Sequence, residues 1–174
     1  MRPFHQRMRL VRLLAFIVAI LALLAPAAHV LELPNKLRLD GPLWLAVQQS
    51  LYAGWGPFIG APTEIGGLVL SLICFASAST RRARALWIAA AACYGVMLIA
   101  FFVFNGPVNA AIASWTAATL PADWPAYRVK WEAGHAIAFV FAAGALMFVM
   151  GARNVERQSP TAPAPSSRHQ APPA

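Results

Sequence analysis

The stretch VKWEAGHAIAFVFAAGALMFVM, residues 129–150, is an apolar run whose first turn carries Glu132 and His135. Three residues apart, the two share one helix face. His29 and Glu32 repeat the spacing in reverse order near the end of another apolar run. Glu64 stands in a third run, between GPFIGAPT and IGGLVLSL, and Asn105 and Asn109 flank a Gly-Pro in FNGPVN. Such residues have two chemical uses. Carboxylate-bridged metal bundles draw a Glu-x-x-His pair from each of two helices and a Glu from each of the other two. This chain offers one such pair, one reversed pair and one extra Glu, with Asn105 and Asn109 in place of the missing carboxylate. The candidate metal set is therefore His29, Glu32, Glu64, Glu132 and His135, for an ion such as iron, copper or zinc. Without a metal, the same groups run proton transfer, with a carboxylate or imidazole as base and amides as oxyanion donors.

Each residue also has a plainer use. Glu32 and Glu132 suit the solvated edge of a membrane, and Glu132 suits a helix N-terminus. Asn105 and Asn109 suit the polar cap of a helix that Pro107 bends or ends. Arg128 is either an interfacial charge or a partner for Glu132 one turn later.

The elements that position these groups are membrane spans. Hydrophobic residues make up 59% of the 174 and charged residues only 11%, against roughly 25% charged in soluble domains. The net charge of +8 gathers in short arginine clusters between apolar runs, a topology signal rather than a phosphate-binding surface. With no Gly-rich phosphate loop, nucleic acid is not an expected partner; the lipid bilayer is. Cys74 and Cys93 lie inside apolar runs and define no disulfide framework.

Four segments reach the roughly 20 apolar residues that a span needs: about 13–33, 57–79, 85–108 and 131–151. The fold class expected is all-α, an integral membrane four-helix bundle. Residues 1–12 form a basic N-terminus, 13–153 the four-span domain, and 154–174 a Pro/Ala/Ser-rich disordered tail. Arg2, Arg7, Arg9 and Arg12, then Arg81, Arg82 and Arg84, then Arg153 and Arg157 all fall on one side. The positive-inside rule makes that side, and both termini, cytoplasmic. Loops 34–56 and 109–130 on the other side carry the aromatic belt, and GPLWLAVQQSLYAGW reads as a short interfacial helix. The N-terminal thirty residues, with a basic start and Ala25-Pro26-Ala27, also read as a cleavable signal peptide.

The arginines serve as a ruler. At about 1.5 Å rise per residue, His29 and Glu64 lie about 26 Å from the cytoplasmic end, His135 about 27 Å, Glu32 about 30 Å, and Asn105 and Glu132 about 32 Å. All four spans thus place polar groups in one slab about 6 Å thick near the outer edge of the hydrocarbon. Ionisable groups at such depth normally face the bundle interior and mark function.

The segment NGPVNAAIASWTAATLPADWPAYRVKWEAGHAIAF resembles the anthrone oxygenase-like family of small four-span membrane proteins. Asn105, Pro107, Asn109, Trp115, Trp124, Arg128, Trp131 and His135 carry the likeness, while HVLELPNKLRL and GPFIGAPTEIGG look like a bacterial branch. The resemblance covers roughly residues 15–150 and implies a bacterial inner-membrane protein. It further implies an oxygenase that needs no added cofactor and acts on a flat phenolic or enolisable, hydrophobic substrate. His135 assisted by Glu132 would be its base, and Asn105 and Asn109 would hold the substrate oxygen; Arg128 completes the candidate catalytic set. The competing functions are a membrane protein that binds or transports a metal or small molecule, and a non-catalytic membrane subunit. Transport favours inverted repeats and polar groups deep in the bilayer; neither is visible, which points to a one-sided pocket.

Overall fold

The computed structural model describes residues 2–158, with side-chain surroundings from Gln6 onward. Among them the elements are α1 (Arg2–Lys36), α2 (Gly41–Ser50), a π-turn at Gly56–Gly60, α3 (Ala61–Ser77), α4 (Arg81–Ala100), a second π-turn at Phe101–Asn105, α5 (Gly106–Ile112) and α6 (Trp124–Gln158). Four helical stretches are long and apolar enough to cross a membrane: Gln6–Lys36, Gly56–Ser77, Arg81–Ile112 and Trp124–Gln158. The protein is an all-α, multi-pass membrane bundle. In it α1 packs on α3 and α6, and α4 packs on the same two, closing a ring of four.

The half of the bundle nearer the arginines is packed through small residues. Ala138, Ala142, Ala145, Val149 and Ala152 repeat every three or four positions along α6 and are buried, which places them on one stripe. Ala15, Ala19 and Ala22 form the matching stripe on α1. Between apolar spans in lipid, close backbone approach through small residues replaces the hydrophobic drive of a soluble core. Gly67 of α3 serves the same end: a Cβ there would run into the Tyr94 ring of α4. Thr80 caps α4 by accepting from the Ala83 N–H at 3.1 Å. Arg12 of α1 and Glu156 of α6 tie the same end at 2.8 Å.

Three expected boundaries move. Helix α1 continues through Pro26 and Pro34 to Lys36 instead of stopping at Pro34. Span three does not end at Pro107; it widens into a π-turn and goes on as α5. Water is scarce at membrane depth, so a backbone freed by proline stays helical with local adjustment. Helix α6 runs to Gln158, so residues 154–158 of the expected disordered tail are helical; residues 159–174 of that tail lie outside the described residues. Of the short helix expected in GPLWLAVQQSLYAGW, the first ten residues form α2, started by Asp40, whose side chain accepts from the Leu43 N–H at 2.9 Å.

Candidate functional site

A cavity of about 550 Å³ fills the half of the bundle opposite the arginines, with walls from α1, α2, α3, α4, α5 and α6. The two π-turns make room for it. In each, a carbonyl accepts from the N–H five residues on: Gly56 from Ala61, and Phe101 from Gly106. A proline stands two residues past the end of each, Pro62 and Pro107. Proline has no N–H and its ring crowds the carbonyl four residues back, here those of Phe58 and Val103. Widening the preceding turn relieves both problems and bulges the helix, a distortion common at functional sites. Both turns line the cavity.

Across this space α1 and α6 bring two imidazoles together. The His29 and His135 ring centroids are 4.1 Å apart, inclined at 44°. Aromatic edges hold His29 in place, Tyr52 at 4.6 Å and Trp131 at 4.7 Å. Trp131, one turn before His135, packs on it at 4.1 Å. His29 is buried and its Nδ1 has no hydrogen-bond partner; the nearest carboxylate oxygen, on Glu32, is 3.9 Å away. Glu64 of α3 lines the same cavity.

The walls are fixed by a polar network. The Trp131 indole N–H donates to Asn109 Oδ1 at 2.9 Å, and Asn105 Nδ2 donates to the Trp131 carbonyl at 2.9 Å. Gly134 permits this second bond, because a Cβ at that position would overlap Asn105 Oδ1. Lys36 Nζ donates to Glu132 at 2.8 Å while lying 5.0 Å from the Trp131 ring centroid and 5.8 Å from that of Tyr52. The Tyr52 hydroxyl donates to Glu32 at 2.5 Å. Burial, this bond and the nearby carboxylates of Glu32 and Glu132 all push the Tyr52 phenol above its ordinary value, so it stays protonated. Gln49 ties α2 to the far side of the cavity by donating to the carbonyls of Ile112 at 2.8 Å and Trp115 at 2.9 Å.

Of the candidate residues, His29, Glu64, Asn105, Asn109 and His135 line the cavity. Glu32, Glu132 and Arg128 do not. Glu132 is joined to Lys36, and no hydrogen bond or ion pair connects it to His135. Arg128 does not pair with Glu132: its Nη1 donates to the carbonyls of Lys36, Leu37 and Leu39 at 3.3, 3.5 and 3.1 Å. Its guanidinium lies 4.7 Å from the Trp124 ring centroid. Among the described residues no three histidine, cysteine or acidic side chains are grouped so as to hold a metal ion. Lys36 and Tyr52 escape the sequence reading. A signal for Lys36 exists: it lies four residues after Glu32 and shares its face once α1 is allowed past Pro34.

Comparison with protein-family models, with curated proteins and with solved structures finds no match to this chain.

Proposed function

We propose that the protein is a membrane oxygenase of the anthrone oxygenase type, oxidising a flat phenolic or enolisable substrate in the cavity. The observation that carries this is the imidazole pair, 4.1 Å between rings, set in a cavity walled by Tyr52, Trp55, Phe101 and Trp131. Aromatic walls suit a flat ring system. A neutral imidazole has one acceptor nitrogen and so acts as a base.

The reaction balances with dioxygen as sole oxidant. His135 takes a proton from the activated methylene of an anthrone, and the electron pair remains as an enolate. Its carbon forms a bond to dioxygen, giving a hydroperoxide once a proton is returned from the histidine pair. Loss of the second C–H proton breaks the O–O bond, leaving a ketone and water. The methylene is oxidised to a carbonyl; one oxygen atom enters the product and the other leaves as water. Asn109, whose Oδ1 is taken by Trp131, keeps its amide N–H groups for the substrate oxygen, where negative charge develops.

The test uses the protein in lipid nanodiscs with anthrone under heavy-isotope dioxygen. The reading requires anthraquinone formed above the spontaneous rate, with one heavy oxygen per molecule. A rate equal to that of empty nanodiscs overturns it.

A further inference from the structure

The cavity wall opens on the side of the bundle. Ile65 of α3 and Phe102 of the second π-turn both line the cavity, yet they are 52% and 71% exposed. Two side chains belong to an interior wall and to the outer surface at once only where the wall is open. One opening therefore runs along the seam between α3 and α4, beside the more polar one at the outer end where the exposed Gln49 and Asn109 also line the cavity. Its depth follows from the arginines. Ile65 is sixteen residues before Arg81 and Phe102 eighteen after Arg84, or about 24 and 27 Å of helix. Both lie within a hydrocarbon layer roughly 30 Å thick. Toward the arginines the seam is shut where Gly67 meets Tyr94. Two polar groups are set back from this mouth: His29 and Gln48 are buried, line the cavity, and keep Nδ1 and Nε2 without protein partners.

We propose that the natural ligand is a tailed amphiphile taken from the bilayer. Its oxygenated aromatic ring lies against the histidine pair, and its alkyl or prenyl tail leaves through the seam between Ile65 and Phe102. This rests on the cavity assigned above to oxidation and names its substrate class, but not on the oxidation itself. A ring seated by His29 and His135 has the apolar side chains of Ile65 and Phe102 beside it at this mouth. A tail there replaces a lipid chain and loses no apolar contact, whereas a charged or hydrated substituent would be stranded in hydrocarbon. The unpartnered nitrogens of Gln48 and His29 supply a donor and a second hydrogen-bonding site for ring oxygens.

The experiment measures binding, so a protein without oxygenase activity still answers it. Nanodiscs carrying the protein are titrated with menadione and with its decyl-tailed analogue, read by quenching of the cavity tryptophans Trp55 and Trp131. Affinity is expressed per lipid so that partitioning cancels. A decyl analogue with a photoreactive diazirine in mid-tail is then irradiated and the labelled peptides mapped. The expected result is saturable binding of the decyl compound, with labelling at the segments that hold Ile65 and Phe102, competed by unmodified decyl analogue. Ile65→Trp, which fills the mouth from an exposed position, should weaken the decyl compound about tenfold, a loss read directly in the dissociation constant. Menadione should stay within about twofold. The smaller Phe102→Ala should bind the decyl compound at least as well as the unaltered protein, which separates blockage from misfolding. Labelling elsewhere, labelling that is not competed, equal weakening of both compounds by Ile65→Trp, or no saturable quenching by either compound overturns the proposal.

Discussion

Lys36→Met tests the energetics of the wall behind the histidine pair. Lys36 is 4% exposed and Glu132 8%, and their charged atoms are 2.8 Å apart. At an effective dielectric of about 20, unit charges at that distance attract by about 6 kcal/mol. Removing each ion from water costs several kcal/mol, so the intact pair contributes little net stability, whereas deleting one partner costs about 3–5 kcal/mol. Methionine keeps the methylene stem against Trp131 and Tyr52, which confines the change to the charge. Lys36→Met and Glu132→Leu should each destabilise by that amount. The double variant should return to within about 1 kcal/mol of the parent, since it leaves no buried charge unpaired. Reversible unfolding in mixed detergent micelles, followed by circular dichroism, provides the measurement. A Lys36→Met cost under about 1 kcal/mol, or costs that simply add in the double variant, would refute the buried pair.

Gly134→Ala should destabilise by about 1–3 kcal/mol through overpacking, because the new methyl meets Asn105 Oδ1 and lies 2.8 Å from Phe104 Cβ. Gly95→Ala, with nothing within 4 Å, should be neutral or stabilising by up to about 1 kcal/mol; equal melting shifts for the two would contradict the close approach. Tyr52 has a folded-state value raised above the ordinary 10.0. The stability it adds is therefore complete below pH 10 and is lost as pH rises through the higher folded value. The tyrosinate difference spectrum between parent and Tyr52→Phe should show a midpoint above 10.0, and a midpoint at or below it would remove the bond to Glu32 from the account. Alkaline phosphatase fused after Arg157 should be inactive and a fusion within residues 113–123 active; reversed activities would place the cavity at the cytoplasmic face.

Depth was legible in the sequence, and azimuth was not. Counting from the arginines puts His29 and His135 about 1 Å apart in height, and the structure brings their ring centroids to 4.1 Å, inclined at 44°. Height alone gave no reason to separate them from Glu32 and Glu132, which sit at similar depth but turn away to Tyr52 and Lys36. The local rule for helices proposed Arg128 as the partner of Glu132, four residues away. What wins is the turn that leaves α1, where the carbonyls of Lys36, Leu37 and Leu39 face the helix α6 side chain. They take the Arg128 guanidinium, and Glu132 is left to Lys36, ninety-six residues distant in sequence. Prolines misled for a similar reason. Pro34 and Pro107 look like stops by soluble-protein logic, but a membrane span keeps its backbone bonded, and the π-turn before Pro107 is the form this takes. The cavity follows from that widening, which no periodicity of apolar residues reveals.

The central claim is that His29 and His135 together form the reactive centre of the cavity. Oxygen uptake with anthrone, measured on protein in nanodiscs, tests it most directly when His29→Ala and His135→Ala are compared with His169→Ala from the tail. His135→Ala should show near-background uptake, a loss of about 10²-fold or more for a missing general base. His29→Ala should show a large loss and His169→Ala an unchanged rate, with all three proteins folded by circular dichroism. Full uptake by folded His135→Ala would contradict it.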